Sequence, residues 1–390
     1  MSLKTFLGSL KGFIERELQN KQELFTSKSI IVNLRIKIYS QKIGKMTTIH
    51  FKGLNGMRAI AAITVIIAHI NIHLNLFGLE LLATSDLAGF GVSIFFTLSG
   101  FLITYLLLKE QEQFIRINFA KFFIRRALRI WPLYFFYIVL VLLIVRPNFT
   151  PTVLGEYLVF APNIPYVFSS EIKFIGHYWS LGVEEQFYFF WPLFFLFSKN
   201  LQRSVFVFLV AFMGLKLFLN LYYGSYSEPY TFIYVTRFSC MAIGALGACF
   251  FFNNHKVLKI INTVYFEVTS WYILLLVTIS KFHLFSLIDH EIISLVTLVI
   301  ILRQVSENRL ISLDNKVLMY LGKISFGMYV FHPLVIYLLS LFLNNVRLCE
   351  SWKHVTIYFS VLVCTILISH LSNKYMESYF LRLKTRFSLI

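Results

Sequence analysis

About ten stretches of roughly twenty mostly apolar residues recur along this chain, and between them lie short loops in which Lys and Arg collect. A run of that length, wound as a helix, crosses the hydrocarbon of a bilayer. A helix also satisfies its own backbone hydrogen bonds where no water is at hand. Composition points the same way. Hydrophobic residues make up 57% of the 390, charged ones only 14%, and mean hydropathy is +0.71. A soluble domain carries about a quarter charged residues, so the excess of apolar side chains is read as facing lipid. The fold class expected is all-α, a polytopic membrane protein. Its transmembrane helices, about ten in number, are expected near 57–76, 88–108, 131–146, 178–198, 204–222, 231–252, 261–280, 286–302, 322–343 and 355–372.

The net charge of +17 would suggest nucleic acid in a soluble protein. Here the cations alternate with apolar spans, which suits topology and contact with anionic lipid, and no basic-aromatic module calls for nucleic acid. Lys and Arg number eleven up to Arg58, six over 109–129, two over 199–203, two over 253–260, four over 303–323 and four after 372. The alternate loops hold none over 77–87, two over 146–177, none over 223–230, one over 281–285 and two over 344–354. Every other loop is basic, so both termini are expected in the cytoplasm and the number of spans is even. Cys240, Cys249, Cys349 and Cys364 show no C-x-x-C spacing, which implies neither a disulfide framework nor a metal site.

Residues 1–50 form a basic N-terminal extension without the apolar core of a secretory signal. It reads either as an interfacial helix or as a dispensable segment upstream of a start at Met46. Residues 51–375 are expected to form the membrane domain, and 376–390 a short basic cytoplasmic tail. Chemistry is therefore expected inside the bundle or at its mouths.

Within GMRAIAAITVIIAHI, Arg58 and His69 lie eleven residues apart, close to three turns, so they share one face about 16 Å apart along the axis. Arg58 alone reads as an anchor at the headgroups, and His69 alone as an interhelical hydrogen bond. Together they suit a long ligand, anionic at one end and reactive at the other. Asn71 and His73 extend the polar content. In GFGVSIFFTLSGFLITYLLL, Gly89, Gly91 and Gly100 permit close helix approach, and Ser93, Thr97 and Ser99 could bridge helices. In FFIRRALRIWPLYF, Arg126 and Arg129 are neighbours on one helical face; they serve either as surface charge or as a guanidinium fork for phosphate. In GHYWSLGVEEQFYFFWP, Glu184 and Glu185 enter aromatic surroundings behind His177. There a carboxylate must pair with a cation or titrate higher, as a general base, an orienter of His, or a binder of hydroxyls. Arg237 is a charge inside a span.

These pieces, in this order, resemble the acyltransferase 3 family of membrane proteins that move acyl groups, usually acetyl, onto cell-surface sugars. The family's first helix carries Arg or Lys, ten residues, then His, as Arg58 and His69 do here. Phe95, Phe96, Ser99, Gly100 and Phe101 match its second helix, although many members have Asp where Ser93 stands. Arg126 and Arg129 match its Arg-x-x-Arg motif, and HYWSLGVEEQFYFFWP matches its most recognisable signature, carrying over His177, Trp179, Ser180 and Glu184, with Glu185 beside it. Arg237 matches an Arg of relatives. LGKISFGMYVFHPLV matches the late helix at Gly322, Ser325, Tyr329, His332 and Pro333, with Phe326 where relatives often have Tyr.

The resemblance implies a multi-pass O-acyltransferase of the cell inner membrane, with no permanently bound cofactor and no metal. The implied partners are acetyl-CoA or another acyl-CoA as co-substrate, a glycan or lipid-linked sugar as acceptor, and membrane lipid. Arg58, Arg126 and Arg129 are expected to hold the donor's phosphates. His69, Glu184 and His177 are the catalytic candidates, with His69 either a base or itself transiently acylated. Trp179, Ser180, Arg237, Ser325, Tyr329 and His332 are expected around the substrate, Trp179 by stacking on a pyranose ring. The rival readings are a transporter or flippase of a lipid-linked glycan, since intramembrane Arg, His and Glu also line transport paths, and, more remotely, a haem-binding carrier.

Overall fold

The structure, a computed structural model, describes residues 51–81, 86–114, 116–306, 309–346 and 348–387. The expected extension over 1–50 lies outside the described residues. Among these residues the chain is all helix, with no strand. The principal helices are α1 (Leu54–Ile72), α2 (Leu87–Phe114), α3 (Phe119–Ile144), α4 (Trp179–Phe197), α5 (Leu201–Tyr223), α6 (Glu228–Thr236), α7 (Phe238–Phe252), α8 (Val264–Thr278), α9 (Asp289–Val305), α10 (Lys316–Leu343), α11 (Glu350–Ser372) and α12 (Ser378–Thr385).

A helix stands at each of the ten expected places. Among the described residues, seven helical runs are long and apolar enough to cross a membrane, one of them combining α6 with α7 and another running from α11 through α12. The other three places are held by α4, which carries Glu184 and Glu185, and by α8 and α9, which have 15 and 17 residues.

Three boundaries differ from expectation for local reasons. Helix α3 begins twelve residues before the expected 131, because the Asn118 side chain accepts a hydrogen bond from Lys121 N and caps it. Arg125, Arg126 and Arg129 are therefore inside the helix. The expected span 231–252 is broken at Arg237, whose φ of 45° is left-handed. Such a conformation costs a non-glycine residue about 1 kcal/mol or more, which the contacts of its side chain described below offset. Finally, α11 runs on through a π-turn at Asn373–Glu377 into α12.

The centre of the bundle is α1, α2, α7 and α10, and glycines set its spacing. A Cβ added to Gly100 would lie 2.0 Å from Met241 O, and one added to Gly244 would lie 2.1 Å from Thr97 O, so α2 and α7 touch backbone to backbone. Gly322 on α10 meets Asn55 O on α1 in the same way. Gly91 packs on Val65 of α1 as expected, whereas Gly89 cradles the Asp86 carboxylate. Ser99 bridges helices; Thr97 does not, because its hydroxyl donates to Ser93 O on its own helix. The peripheral helix α5 leaves Phe206, Val207, Val210, Phe218 and Leu221 exposed, the apolar outer surface a bilayer covers.

Candidate functional site

A cavity of about 720 Å³, counting its open mouth, runs between α1, α2, α3, α4 and α10. Arg58, Arg126 and Arg129 line it together with Ser99, Ser180, Glu184, Tyr188, Ser325 and Tyr329, and its apolar wall includes Val92, Phe95, Phe96 and Phe326. Three arginines that the sequence separates by up to 71 positions thus meet at one pocket. None of the three pairs with a carboxylate among the described residues. Arg58 donates to Asn55 Oδ1 at 2.8 Å. Arg126 lies over the rings of Phe122 and Tyr188, and its buried Nε has no hydrogen-bond partner among the described residues.

Glu184 faces the same pocket, accepting from the hydroxyls of Ser99 and Tyr188. It hydrogen-bonds neither His69 nor His177, so the geometry does not make it an orienter of either ring. Glu185 turns away and accepts from Trp131 Nε1 at 3.0 Å. Adjacent residues on a helix point about 100° apart, which separates Glu184, carried over from the family's signature, from the Glu185 beside it.

Beyond Tyr329 lies a group of imidazoles drawn from three elements. The His69 and His332 ring centroids are 4.8 Å apart, and those of His177 and His332 are 5.2 Å apart. His69 Nδ1 lies 2.9 Å from Val65 O. A carbonyl only accepts, so Nδ1 carries the hydrogen and Nε2 of the neutral ring is the free acceptor. His332 Nδ1 makes the same kind of bond to Met328 O at 3.3 Å, and its buried Nε2 has no hydrogen-bond partner among the described residues.

His177 sits on a short 3-10 turn, Gly176–Tyr178, which aromatic hydroxyls pin in place. Tyr137 donates to Phe174 O, Tyr178 to Tyr134 O and Tyr329 to His177 O. Since the one Tyr329 hydrogen is used on His177 O, Ser180 Oγ donates to the Tyr329 oxygen. Tyr329 therefore touches both the arginine-headed pocket and the imidazole group, with its ring 5.8 Å from His332 and 5.4 Å from His177. Ser325 also lines the pocket, its hydroxyl turned to Gly322 O.

Trp179 corrects an expectation. It is 7% exposed, with Tyr166 stacked on it and Arg237 at 5.2 Å over its ring, so it has no face free for a sugar. Arg237 is committed as well: Nη1 donates to Gly89 O at 2.8 Å, and Nη2 lies 3.5 Å from Asp86 Oδ2. It stands behind the signature turn and positions it rather than facing an open site.

Residues 51–373 match the family described as an acyltransferase domain. The chain belongs to the acyltransferase 3 family. It is similar to O-acetyltransferase OatA of Staphylococcus aureus, at 27% identity over 366 residues in strains NCTC 8325 / PS 47, COL and MRSA252. The alignment covers 84% of this chain and 57% of each relative, so the chain spans somewhat over half the length of the curated relatives it matches. No solved structure matches it.

The same structure contains a second polar cluster that sequence reasoning missed. His290 Nε2 lies 3.2 Å from Asp86 Oδ2 and 2.8 Å from the Tyr234 hydroxyl, while Nδ1 is 3.1 Å from Ser93 Oγ. Lys216 and Glu291 form a buried ion pair at 2.9 Å, and Ser239 donates to Glu291 at 2.7 Å. Asp86 lies outside the spans. Burial pushes its carboxyl up, but the His290 hydrogen bond and the Arg237 charge outweigh that and hold it at about 2. A signal existed: Lys216 is a lone cation within an apolar span, which by itself marks a buried partner.

Proposed function

We propose that this chain is an integral membrane O-acetyltransferase. It moves an acetyl group from cytoplasmic acetyl-CoA, or another acyl-CoA, to a hydroxyl of a cell-surface or lipid-linked glycan, in the cell inner membrane. The membrane domain over 51–375 carries the activity, and both termini are cytoplasmic. The observation that carries this reading is the pairing of a pocket headed by three arginines without carboxylate partners and a histidine group across Tyr329 from it. The name of the similar Staphylococcus aureus proteins and the alternating basic loops support it.

Coenzyme A has a chemistry that suits such a pocket, with a diphosphate and a ribose phosphate at one end and a thin thioester arm at the other. Guanidinium groups hold phosphates in a fork and keep their charge when buried. Arg58, Arg126 and Arg129 take the phosphates, and the arm runs past Ser99, Ser325 and Ser180 toward Tyr329. His69 Nε2 accepts the acceptor's hydroxyl proton as that oxygen attacks the thioester carbonyl carbon. The carbon–sulfur bond breaks, the ester forms, and the proton passes from His69 to the departing thiolate. The products are free CoA, an acetylated hydroxyl and a neutral imidazole. His332 and His177 hold the His69 ring in place, and Glu184 steadies the arginine end. Trp179 and Arg237 act from behind the site, as supports of the turn that bears His177.

Membranes carrying wild type or His69→Ala, incubated with radiolabelled acetyl-CoA and extracted surface glycan, test this. Label is expected to enter glycan with wild type and to fall by about 10²–10⁴ in rate with the variant, the usual worth of a general base. Coenzyme A affinity is expected to stay. Equal label in both would sink the role of His69, and coenzyme A left unconsumed with every glycan offered would turn the reading toward transport.

A further inference from the structure

The histidine group has a fourth member. His73 lies one turn past His69 on α1, so the two side chains are neighbours on one face. Their rings stack, with centroids 6.3 Å apart and planes 19° apart. His73 Nδ1 lies 2.8 Å from His69 O, just as His69 Nδ1 lies against Val65 O. A carbonyl only accepts, so both rings hold the same tautomer, and each neutral ring keeps Nε2 as an acceptor. His73 caps α1 at its C-terminal end, the end away from Arg58.

Exposure divides the four rings. His332 and His177 are 0% and 6% exposed, whereas His69 and His73 are only half-buried. None of the four lines the arginine-headed pocket, so the surface that His69 and His73 keep lies outside it. Two aromatic rings flank that surface. Phe174 stands 6.2 Å from His73, and Tyr337 of α10 stands 4.8 Å from Phe174; both are half-buried. Phe174 has a left-handed φ of 62°, which a bulky residue keeps only where its surroundings fix it. Tyr137, donating to Phe174 O at 2.9 Å, is one such fastening. Aromatic walls around a few directed polar atoms are the usual make-up of a small-molecule subsite.

We propose that His73, beside the Phe174 and Tyr337 rings, is an acceptor-binding residue. Its Nε2 accepts from a second hydroxyl of a polyhydroxylated acceptor whose reacting hydroxyl lies at His69 Nε2. The proposal rests on the reading of His69 as the base, and it names what the acceptor must present: two hydroxyls within reach of two stacked imidazoles. The hydroxyl at His73 keeps its proton, and no covalent bond forms or breaks there. A simple alcohol offers one hydroxyl and leaves His73 Nε2 unpaired, so the two rings together favour a sugar.

The test uses the full chain in nanodiscs with radiolabelled acetyl-CoA and extracted surface glycan, and reads kcat, KM for each substrate, and melting temperature. His73→Phe keeps an aromatic ring against Phe174 but has no ring nitrogen. It is expected to raise KM for glycan about five- to tenfold, the worth of one hydrogen bond. KM for acetyl-CoA and the melting temperature are expected to stay, and kcat to change far less than the glycan KM. His73→Gln returns a side-chain oxygen that can accept, and is expected to recover part of the loss. An unchanged glycan KM in His73→Phe, with transfer lost in His69→Ala, would overturn this proposal and leave the His69 reading standing. A fall in kcat at unchanged glycan KM would make His73 a path for the proton and overturn it too. So would equal losses for both substrates or a lower melting temperature, which would make His73 structural. Failure of the wild type to label glycan would overturn both.

Discussion

Charge is buried in two ways at the two ends of this bundle. At the end where α2 begins, Lys216 lies against Glu291, and Asp86 holds both Arg237 and His290; each buried ion there has a counter-ion from another helix. At the end where α1 begins, Arg58, Arg126 and Arg129 line a cavity with no carboxylate in ion-pair range among the described residues. Both ends are costly to dehydrate. The first recovers the cost within the protein and so behaves as scaffold. The second leaves it open, which is tolerable where a ligand supplies the missing charge.

The sharpest way to break this comparison is to remove one cation from each end. Lys216→Met leaves Glu291 buried without a counter-ion, with only the Ser239 hydrogen bond, and is expected to cost about 3–5 kcal/mol, read as a lower melting temperature in detergent or as lost expression. Adding Glu291→Leu is expected to recover most of it, because the orphaned charge is gone. If Lys216→Met alone melts like wild type, the paired end is not a scaffold.

Arg126→Gln is expected to do the reverse. Its melting temperature stays at the wild-type value or rises slightly, since a half-buried charge with no carboxylate partner is removed, while coenzyme A affinity falls about ten- to a hundredfold. A loss of stability on the scale of Lys216→Met would erase the distinction between the two ends.

The smallest expected effect is that of Asp86→Asn, about 1 kcal/mol, discounted because its side chain is 45% exposed. Here pH sharpens the comparison. A carboxylate held at about 2, below its ordinary ~3.9, contributes its full stabilisation above about pH 4 and loses it as pH falls through about 2. The gap in melting temperature between variant and wild type is therefore expected to be the same at about pH 5 and pH 7.5. A gap that closes at pH 5 would mean that Asp86 is already protonated there.

How legible the site was depends on how far apart its members lie in the chain. Arg126 and Arg129 are three residues apart, and Arg58 and His69 are three turns apart on one helix, so helical geometry alone relates them. Asp86 and His290 are brought together by the packing of α9 on α2, across some two hundred residues, and no spacing rule reaches that far. Trp179 departs from expectation for a related reason. An aromatic near the end of a span looks available in sequence, and only the arrival of Arg237 and Tyr166 closes it off.

The sequence by itself determined the class of the protein and the places of its helices, because apolar runs of bilayer length leave the backbone no other way to satisfy its hydrogen bonds. It also supplied the family's motifs in order. Only the tertiary structure decided which of two adjacent glutamates faces the pocket, that three histidines from separate elements meet, and that Arg237 breaks a helix. It also decided that the terminal helix lies along α3, where Phe387 O accepts from Arg125. Those outcomes depend on which helix packs on which, and a local pattern of residues does not encode that.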